Sequence, residues 1–132
     1  MLLIPTIAKA GLLTLLTDIE MKLRIYANNK VPSLDDILAD YTEVSGGGYN
    51  EITLEAENWS ISGTPIVAAI YNEYMDFVFT GATSGTHIAY GYYLVQGTIL
   101  MGAERFSVDP PIEPSNGTLI RVRPVFALSS LP

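Results

Sequence analysis

The feature that most constrains the fold is a series of short apolar segments in the second half of the chain, each bounded by turn-forming residues. Residues 74–80 alternate between apolar and other side chains, the period of two that is typical of a strand with one buried face. Residues 87–95 are rich in aromatic and β-branched side chains, and Gln96-Gly97 predicts a tight turn into a hairpin partner over residues 98–106. These segments predict a domain built mainly from strands.

The same strand pattern occurs elsewhere in the chain. Residues 21–26 alternate strictly, residues 52–56 and 66–71 are short apolar runs, and residues 119–126 form a last alternating segment. Pro124 lacks a backbone donor, so the last strand should lie at a sheet edge or carry a bulge there. Six or seven short strands with few helices predict an antiparallel β-sandwich or a partly closed, jelly-roll-like barrel, with one N-terminal helix and one short second helix.

The N-terminal residues 1–17 form an apolar segment that does not match an export signal or a membrane span. Lys9 lies in its middle, and Pro5 and Gly11 interrupt it, so no run approaches the roughly 20 apolar residues that a membrane helix needs. Its apolar residues recur every three to four positions, which predicts a packed helix whose start Thr6 can cap. Because almost every side of this helix is apolar, its own sheet or a neighbouring subunit should cover more than one side.

The length of 132 residues predicts one domain, divided into an apolar helical arm over residues 1–20 and a single β domain over residues 21–132. A second, short helix should begin near Ser33, whose hydroxyl can accept the Asp36 N–H, and should end near Ala39. Three connections are predicted from turn-forming residues: a flexible connector at Gly46-Gly47-Gly48, a rigid loop at Pro110-Pro111, and a turn at Asn116-Gly117.

Composition excludes several classes of function. The formal net charge of −7 opposes binding to nucleic acid and to anionic membranes by Coulomb repulsion. The chain has no cysteine and one histidine, which excludes disulfides, thiolate metal sites, cysteine nucleophiles and sites built from several histidines. We therefore expect no cofactor, no metal and no catalytic residue.

Two weak catalytic patterns can still be drawn. Glu55 and Glu57 would share one face of a strand, but acids at such positions are usually solvated. His87 is the one residue on which a catalytic triad could be built, and its surroundings do not match a nucleophile elbow. A small hydrolase based on a carboxylate pair stays open as an alternative, and it predicts two convergent carboxylates with a raised pKa.

Tyrosine is the one residue type whose abundance suggests an interface or a glycan site, since its ring carries a polar tip. Strand preference and packing between neighbouring strands are the favoured explanation of such a cluster. Trp59 is more typical of a core anchor than of a ligand platform. Arg121 and Arg123 should project from one face of the last strand, toward an acidic neighbouring subunit or toward solvent. Five of the eight tyrosines are on segments predicted to be adjacent strands: Tyr71, Tyr74, Tyr90, Tyr92 and Tyr93.

The order of short segments along most of the chain resembles a set of small bacteriophage virion proteins encoded among head and tail genes. No single segment is specific, and the resemblance depends on their order and spacing. The matching segments are the apolar helix from Ile4-Pro5 through Leu16, residues 23–29 followed by a proline, residues 38–43, Gly48-Tyr49, residues 88–93, residues 103–106, and Asn116-Gly117 before a strand with Pro124.

This resemblance implies a non-enzymatic structural protein of the virion, a decoration or cement protein that binds the major capsid protein and strengthens the head. A homotrimer is the expected oligomer, by analogy with the local threefold positions of a capsid. A tail or fibre module that binds a host-surface glycan stays open as the alternative. The candidate interface residues are Leu12, Leu13, Leu15, Leu16, Tyr90, Tyr92, Arg121 and Arg123.

Overall fold

The computed structural model describes residues 2–108 and 111–128 of the chain, so Pro110 of the predicted proline loop lies outside the described residues. Within these ranges the chain forms one α-helix and nine strands. The elements are α1 (Thr6–Thr17), β1 (Met21–Tyr26), β2 (Ile52–Leu54), β3 (Trp59–Ser62), β4 (Val67–Tyr71), β5 (Met75–Val78), β6 (Gly91–Gln96), β7 (Ile99–Arg105), β8 (Leu119–Val122) and β9 (Val125–Leu128).

The prediction of a mainly antiparallel β fold with an N-terminal helix is confirmed. A four-stranded sheet has the order β2-β1-β6-β7, a three-stranded sheet has the order β3-β4-β9, and β5 pairs with β8. The sheets are not closed, which is compatible with the sandwich alternative. By backbone contacts, the chain divides into two compact units.

The first unit contains α1 and the sheet β3-β4-β9, from residues up to Glu20, Glu55–Met75 and the chain from Val122 onward. Strand β4 lies in the centre of this sheet and alternates between buried and half-buried residues. Its inward side chains, Val67 and Ala69, pack with Leu13 of α1 in the core of this unit. The helix therefore covers one face of its own sheet. The domain division into a separate arm and one β domain stays a prediction.

Helix α1 begins without a side-chain cap. Pro5 precedes it in an extended conformation, and Thr6 is its first residue rather than its cap. Proline is suited to a helix start because its fixed φ and missing N–H cost nothing there. Lys9 lies on the buried face, where its Nζ donates to the Pro65 carbonyl at 3.2 Å.

The second unit contains the four-stranded sheet, from residues 21–54 and 76–121. The predicted hairpin is confirmed: β6 and β7 are joined by a turn in which Gly97 has φ +63°. The register shifts between Leu94 and Val95, which leaves Met101 as the extra residue of a bulge in β7. Strand β7 is the last strand on its side of this sheet.

Two predicted elements differ from the structure. The last predicted strand, residues 119–126, is divided at Pro124 into β8 and β9, which belong to different sheets. Pro124 cannot donate to a ladder, but its carbonyl accepts the Tyr71 N–H at 3.0 Å. Strand β3 was not predicted, although its sequence WSIS alternates between apolar and polar residues, because the alternation extends over only four residues.

The predicted second helix is a single 3-10 turn, Leu38–Asp40, preceded by a turn at residues 33–36. The Ser33 carbonyl, not its hydroxyl, accepts the Asp36 N–H at 3.2 Å. Carboxylates hold the turn instead: Asp36 accepts the Ser33 N–H, and Asp40 accepts the Ile37 N–H. Short polar side chains compete here with continued helix formation.

The prediction of a flexible connector at Gly46-Gly47-Gly48 is wrong, because all three glycines are held in the left-handed region at φ +78°, +61° and +77°. The Gly47 carbonyl accepts the Thr80 N–H at 2.8 Å, and a Cβ at this position would stand 2.6 Å from the Gly81 carbonyl oxygen. Glycine is therefore required both by the backbone conformation and by close packing.

Candidate interaction surfaces

Helix α1 is apolar on two opposite faces. The inner face contains Leu13, which is 1% exposed, and packs on the sheet of the first unit. The other face, which we call the outer helix face, consists of Ile7, Ala8, Leu12 and Leu15 and is exposed. The Leu15 side chain is 72% exposed, and the Ile7 side chain is 83% exposed. A helix that keeps apolar residues on its solvent side is typical of a surface that a partner covers.

The four leucines predicted as interface residues are therefore divided between the two faces. Leu12 and Leu15 lie on the outer helix face. Leu13 is in the core, and Leu16 is half-buried against that core, so both stabilise the first unit. Sequence spacing alone could not separate the faces, because apolar residues occur on both.

Three tyrosines form a buried aromatic cluster in the second unit. The Tyr26 ring meets the Tyr41 ring edge-on at 5.1 Å between centroids, and Tyr41 stacks on Tyr93 at 5.4 Å. All three side chains are buried. Burial raises the pKa of the Tyr26 hydroxyl to about 12. These rings stabilise the fold and do not present a surface to a ligand.

The two tyrosines predicted as interface residues, Tyr90 and Tyr92, are half-buried. The Arg105 guanidinium lies over the Tyr90 ring at 5.1 Å, a cation–π geometry. Tyr92 packs against Phe106 at 6.2 Å, and burial raises the pKa of its hydroxyl to about 12. Both side chains thus have packing partners within the second unit.

The expectation that five tyrosines share adjacent strands is wrong. Tyr71 lies on β4 and Tyr74 follows it, whereas Tyr90, Tyr92 and Tyr93 lie before or on β6, in a different sheet. The Tyr71 hydroxyl is buried and accepts the Glu55 N–H at 3.0 Å. The error arose because local sequence patterns do not encode which strands pair in the same sheet.

Trp59 packs as an anchor in the first unit, as its sequence context suggests. Its ring meets Tyr71 edge-on at 5.1 Å and lies 5.5 Å from Phe126. Its indole N–H is buried and has no acceptor among the described residues. The half-buried ring is therefore not an open platform for a sugar.

Arg121 and Arg123 have intramolecular partners. Arg121 forms a bidentate pair with Asp76, at 2.7 and 3.0 Å, within the second unit. Arg123 donates to the Tyr71 carbonyl at 2.8 Å and lies over the Tyr74 ring at 5.2 Å, within the first unit. Both arginines are exposed, so neither contact excludes a role at an interface.

A polar network that the sequence did not reveal is centred on Asp36. Its carboxylate accepts the Tyr41 hydroxyl at 2.6 Å and the Ser33 N–H at 2.8 Å, and it lies 2.7 Å from the Lys30 ammonium. The Asp36 side chain is only 6% exposed. The hydrogen bonds from Lys30 and Tyr41 lower the pKa of this carboxyl to about 2. Asp36 thereby anchors the loop that follows β1.

A second polar network lies around Tyr49. The Tyr49 hydroxyl donates to Glu43 at 2.8 Å and accepts the Ile25 N–H at 3.1 Å, while its ring stacks on Phe77 at 5.7 Å. Burial, and then the hydrogen bond to Glu43, raises the pKa of this hydroxyl. The loop that contains the three glycines is thus held on both sides.

Beside the edge strand β7 lies a groove of about 370 Å³ within the second unit, which we call the β7 groove. One wall is Pro32–Leu34, and the other is residues 100–103 of β7. Asp36 and Tyr41 complete the lining. Leu34 is fully exposed at the rim. An open edge strand beside an apolar groove is a geometry that accepts an extended segment.

Glu55, Glu57 and His87 all lie outside the strands. The predicted strand over residues 52–56 ends at Leu54, and Glu57 lies in a 3-10 turn, so Glu55 and Glu57 do not share a strand face. His87 accepts the Ser45 N–H through Nδ1 at 3.4 Å. The carboxyl pKa values of Asp36 and Asp76 are lowered by cations, the opposite of what a general acid needs.

No cluster of three or more His, Asp and Glu side chains suited to a metal ion is found in the described ranges. No helix there is long and apolar enough to cross a membrane. No protein-family model, curated protein or solved structure matches the chain.

Proposed function

We propose that the protein is a non-enzymatic structural component of a bacteriophage virion, a decoration or cement protein that binds the major capsid protein and stabilises the head. The order of sequence segments, which resembles small virion proteins, supports this role. The structural observation that carries the proposal is the outer helix face of α1, where apolar side chains remain exposed although the inner face already packs on its sheet.

An exposed apolar helix face suits a subunit that is present in many copies on a symmetric shell. Fully burying one leucine contributes about 1.5–3 kcal/mol, so a face with two leucines and one isoleucine supplies a modest interface. Several such contacts on one oligomer must release together, which strengthens attachment through avidity. A homotrimer at a local threefold position is the assembly that we propose.

The alternative of a tail or fibre module that binds a glycan requires an open aromatic patch beside polar groups. Among the aromatic side chains of the described residues, Tyr74 is the one that is mostly exposed, and Arg123 lies over its ring. The other rings are buried or half-buried in clusters. This distribution supports the decoration proposal over the glycan alternative.

The direct test is the copy number in purified phage particles, measured by quantitative mass spectrometry against the major capsid protein. A copy number of the same order as that of the capsid subunit is the expected result. A far smaller number would place the protein in the tail or connector, and its absence from particles would refute a virion role.

The surface of attachment is tested by Leu15→Asp, with Thr14→Asp as the matched control. Both residues are exposed on α1, but Thr14, two turns after Ile7 at the edge of the outer helix face, is polar and adds little apolar surface to that face. We expect Leu15→Asp to weaken binding to undecorated particles at least about tenfold and Thr14→Asp to have little effect. Equal binding by both variants would exclude this face as the attachment surface.

A further inference from the structure

We propose that the residues before α1, Leu2–Pro5, bind in the β7 groove of a second copy of this chain and add a strand to its sheet. We call these residues the N-terminal segment. This inference concerns self-association, and it does not depend on the proposed role in a virion. The acceptor edge, the groove and the donor segment each contribute a separate observation.

The acceptor edge is open. Strand β7 pairs with β6 on one side only. The Phe106 N–H donates to the Tyr90 carbonyl at 2.9 Å, and Arg105 lies opposite Gly91. Because N–H and C=O groups alternate in direction along an antiparallel strand, those of Ala103 face away from β6. No backbone or side chain of the described residues bonds to these outward groups of Ala103.

The β7 groove is suited to an uncharged segment. Its lining combines apolar side chains with the uncharged polar groups of Ser33 and Tyr41. The apolar members are Pro32, Leu34, Leu100, Met101 and Ala103. Asp36 is the one ionised group in the lining, and the Lys30 ammonium at 2.7 Å neutralises it. An incoming charged strand would lose hydration without gaining an opposite charge.

The N-terminal segment has the complementary properties. It carries no charged side chain, and Leu2 and Leu3 are 92% and 88% exposed. It is not helical, and Pro5 has the extended angles φ −61° and ψ 154°. Within the described chain, the backbone N–H groups of Leu2, Leu3 and Ile4 have no hydrogen-bond acceptor. These exposed leucines and free donors are the groups that an open edge beside an apolar groove would bind.

The dimensions also match. An extended segment of four residues spans about 13 Å at about 3.3 Å per residue, the length of residues 100–103 along the groove.

Each copy carries one donor segment and one acceptor groove, so the contact is heterologous. Repeated around an axis, such a contact closes into a ring in which every segment and every groove is used. A cyclic trimer is one of the rings that this contact can form. Open chains of subunits would form if the rotation between neighbours did not close.

Cysteine cross-linking tests the contact directly, because the natural chain has no cysteine. Leu3→Cys is mixed with a second variant that carries Met101→Cys or Ala103→Cys, and the mixture is oxidised. The control mixture pairs Leu3→Cys with Val78→Cys, an exposed position of the second unit outside the groove. We expect a disulfide-linked dimer that contains both variants from the groove mixtures and not from the control.

Failure of cross-linking at both groove positions, or equal cross-linking in the control, would overturn the proposal. A chain carrying both Leu3→Cys and Met101→Cys shows whether the segment binds the groove of its own chain or that of a second copy. If it forms only an internal disulfide and stays monomeric, the segment occupies the groove of its own chain and the exchange between copies is refuted.

Self-association of the protein alone gives a second readout by analytical ultracentrifugation. We expect Leu34→Lys at the groove rim to weaken association at least about tenfold, and Val78→Lys to leave it unchanged. Both side chains are exposed, so neither lysine disturbs the core. A wild-type protein that is monomeric up to its solubility limit, or an equal effect of both lysines, would contradict the proposal. Particle binding is absent from this assay, so its result is distinguishable from failure of the proposed function.

Discussion

Helix α1 and the loop segment of residues 27–50 differ in both secondary structure and burial. The helix is regular, yet its outer face is apolar and exposed. The segment 27–50 contains one short 3-10 turn, yet Tyr41 and Val44 are buried in it, and Asp36 and Tyr49 tie it down by hydrogen bonds.

The comparison teaches that regular secondary structure does not indicate which part of a small protein has its apolar side chains buried and its polar groups hydrogen-bonded. In the segment 27–50, Tyr41 and Val44 are buried and Asp36 and Tyr49 have satisfied polar groups, while Leu34 stays exposed at the rim of the β7 groove. In α1, backbone hydrogen bonds are satisfied internally while apolar area remains exposed. The attachment surface that we propose lies on the regular element, and the following predictions test this contrast.

The largest effect is expected for Tyr41→Ala in the loop segment. This change removes a buried ring that contacts Tyr26 and Tyr93 and leaves Asp36 without the Tyr41 hydroxyl. We expect the free energy of unfolding to fall by about 3 kcal/mol or more, measured by urea denaturation.

The matched change in the helix is Leu15→Ala. Because this side chain is exposed, the free energy of unfolding should change by less than about 0.5 kcal/mol. A large loss of stability for Leu15→Ala would mean that the outer helix face is already covered in the isolated protein.

The second prediction contrasts two glycines. Gly47→Ala in the loop segment should destabilise the protein by about 2–3 kcal/mol, because φ is +61° and the new Cβ would press on the Gly81 carbonyl. Gly11→Ala in α1 meets no atom within 4 Å, so it should stabilise the protein by about 0.5–1 kcal/mol through helix propensity. Thermal unfolding of the two variants checks the opposite signs.

The third prediction concerns the pH dependence that Asp36 confers on the loop segment. Its folded pKa of about 2 lies below the ordinary value of 3.8, so the ionised form favours the folded state. The contribution is complete above the unfolded pKa and is lost as the pH falls from about 4 toward 2. We expect the stability gap between wild type and Asp36→Asn to narrow over this range.

Asp35→Asn is the control for this pH dependence, because it removes an equal charge from an exposed neighbour. Its unfolding midpoint should follow that of the wild type from neutral pH to pH 2. If Asp36→Asn follows the wild type as closely, then the carboxylate does not anchor the loop.

The smallest effect is expected for Arg121→Ala, on the exposed face of β8. Removing its pair with Asp76 should leave the unfolding temperature nearly unchanged at physiological salt, because exposed ion pairs are screened. The same experiment at low salt should show a slightly larger loss. A marked loss at physiological salt would show that this pair is as important as the Asp36 network.

Strand positions were predictable where the pattern is local. The alternation of residues 21–26 is confirmed. The hairpin predicted from Gln96-Gly97 is confirmed with its turn one residue later, at Gly97-Thr98, because Gln96 ends β6 and pairs with Ile99. Pro124 indicated a break in the last predicted strand, because proline has no N–H to donate to a neighbouring strand. The tyrosine arrangement was not predictable, because it depends on which strands meet across long stretches of chain. Strand β3 pairs with the neighbouring β4 and was missed because its alternation extends over only four residues.

The sequence by itself determined that the chain forms many short strands, one apolar helix and turns at its glycine and proline residues, because these follow from side-chain period and backbone freedom. The tertiary structure alone decided which face of α1 is covered, that three consecutive glycines are tightly held, and that β7 is an open edge beside a groove. Each of these depends on contacts between residues far apart in the chain, and the local pattern of apolar and polar residues does not specify them.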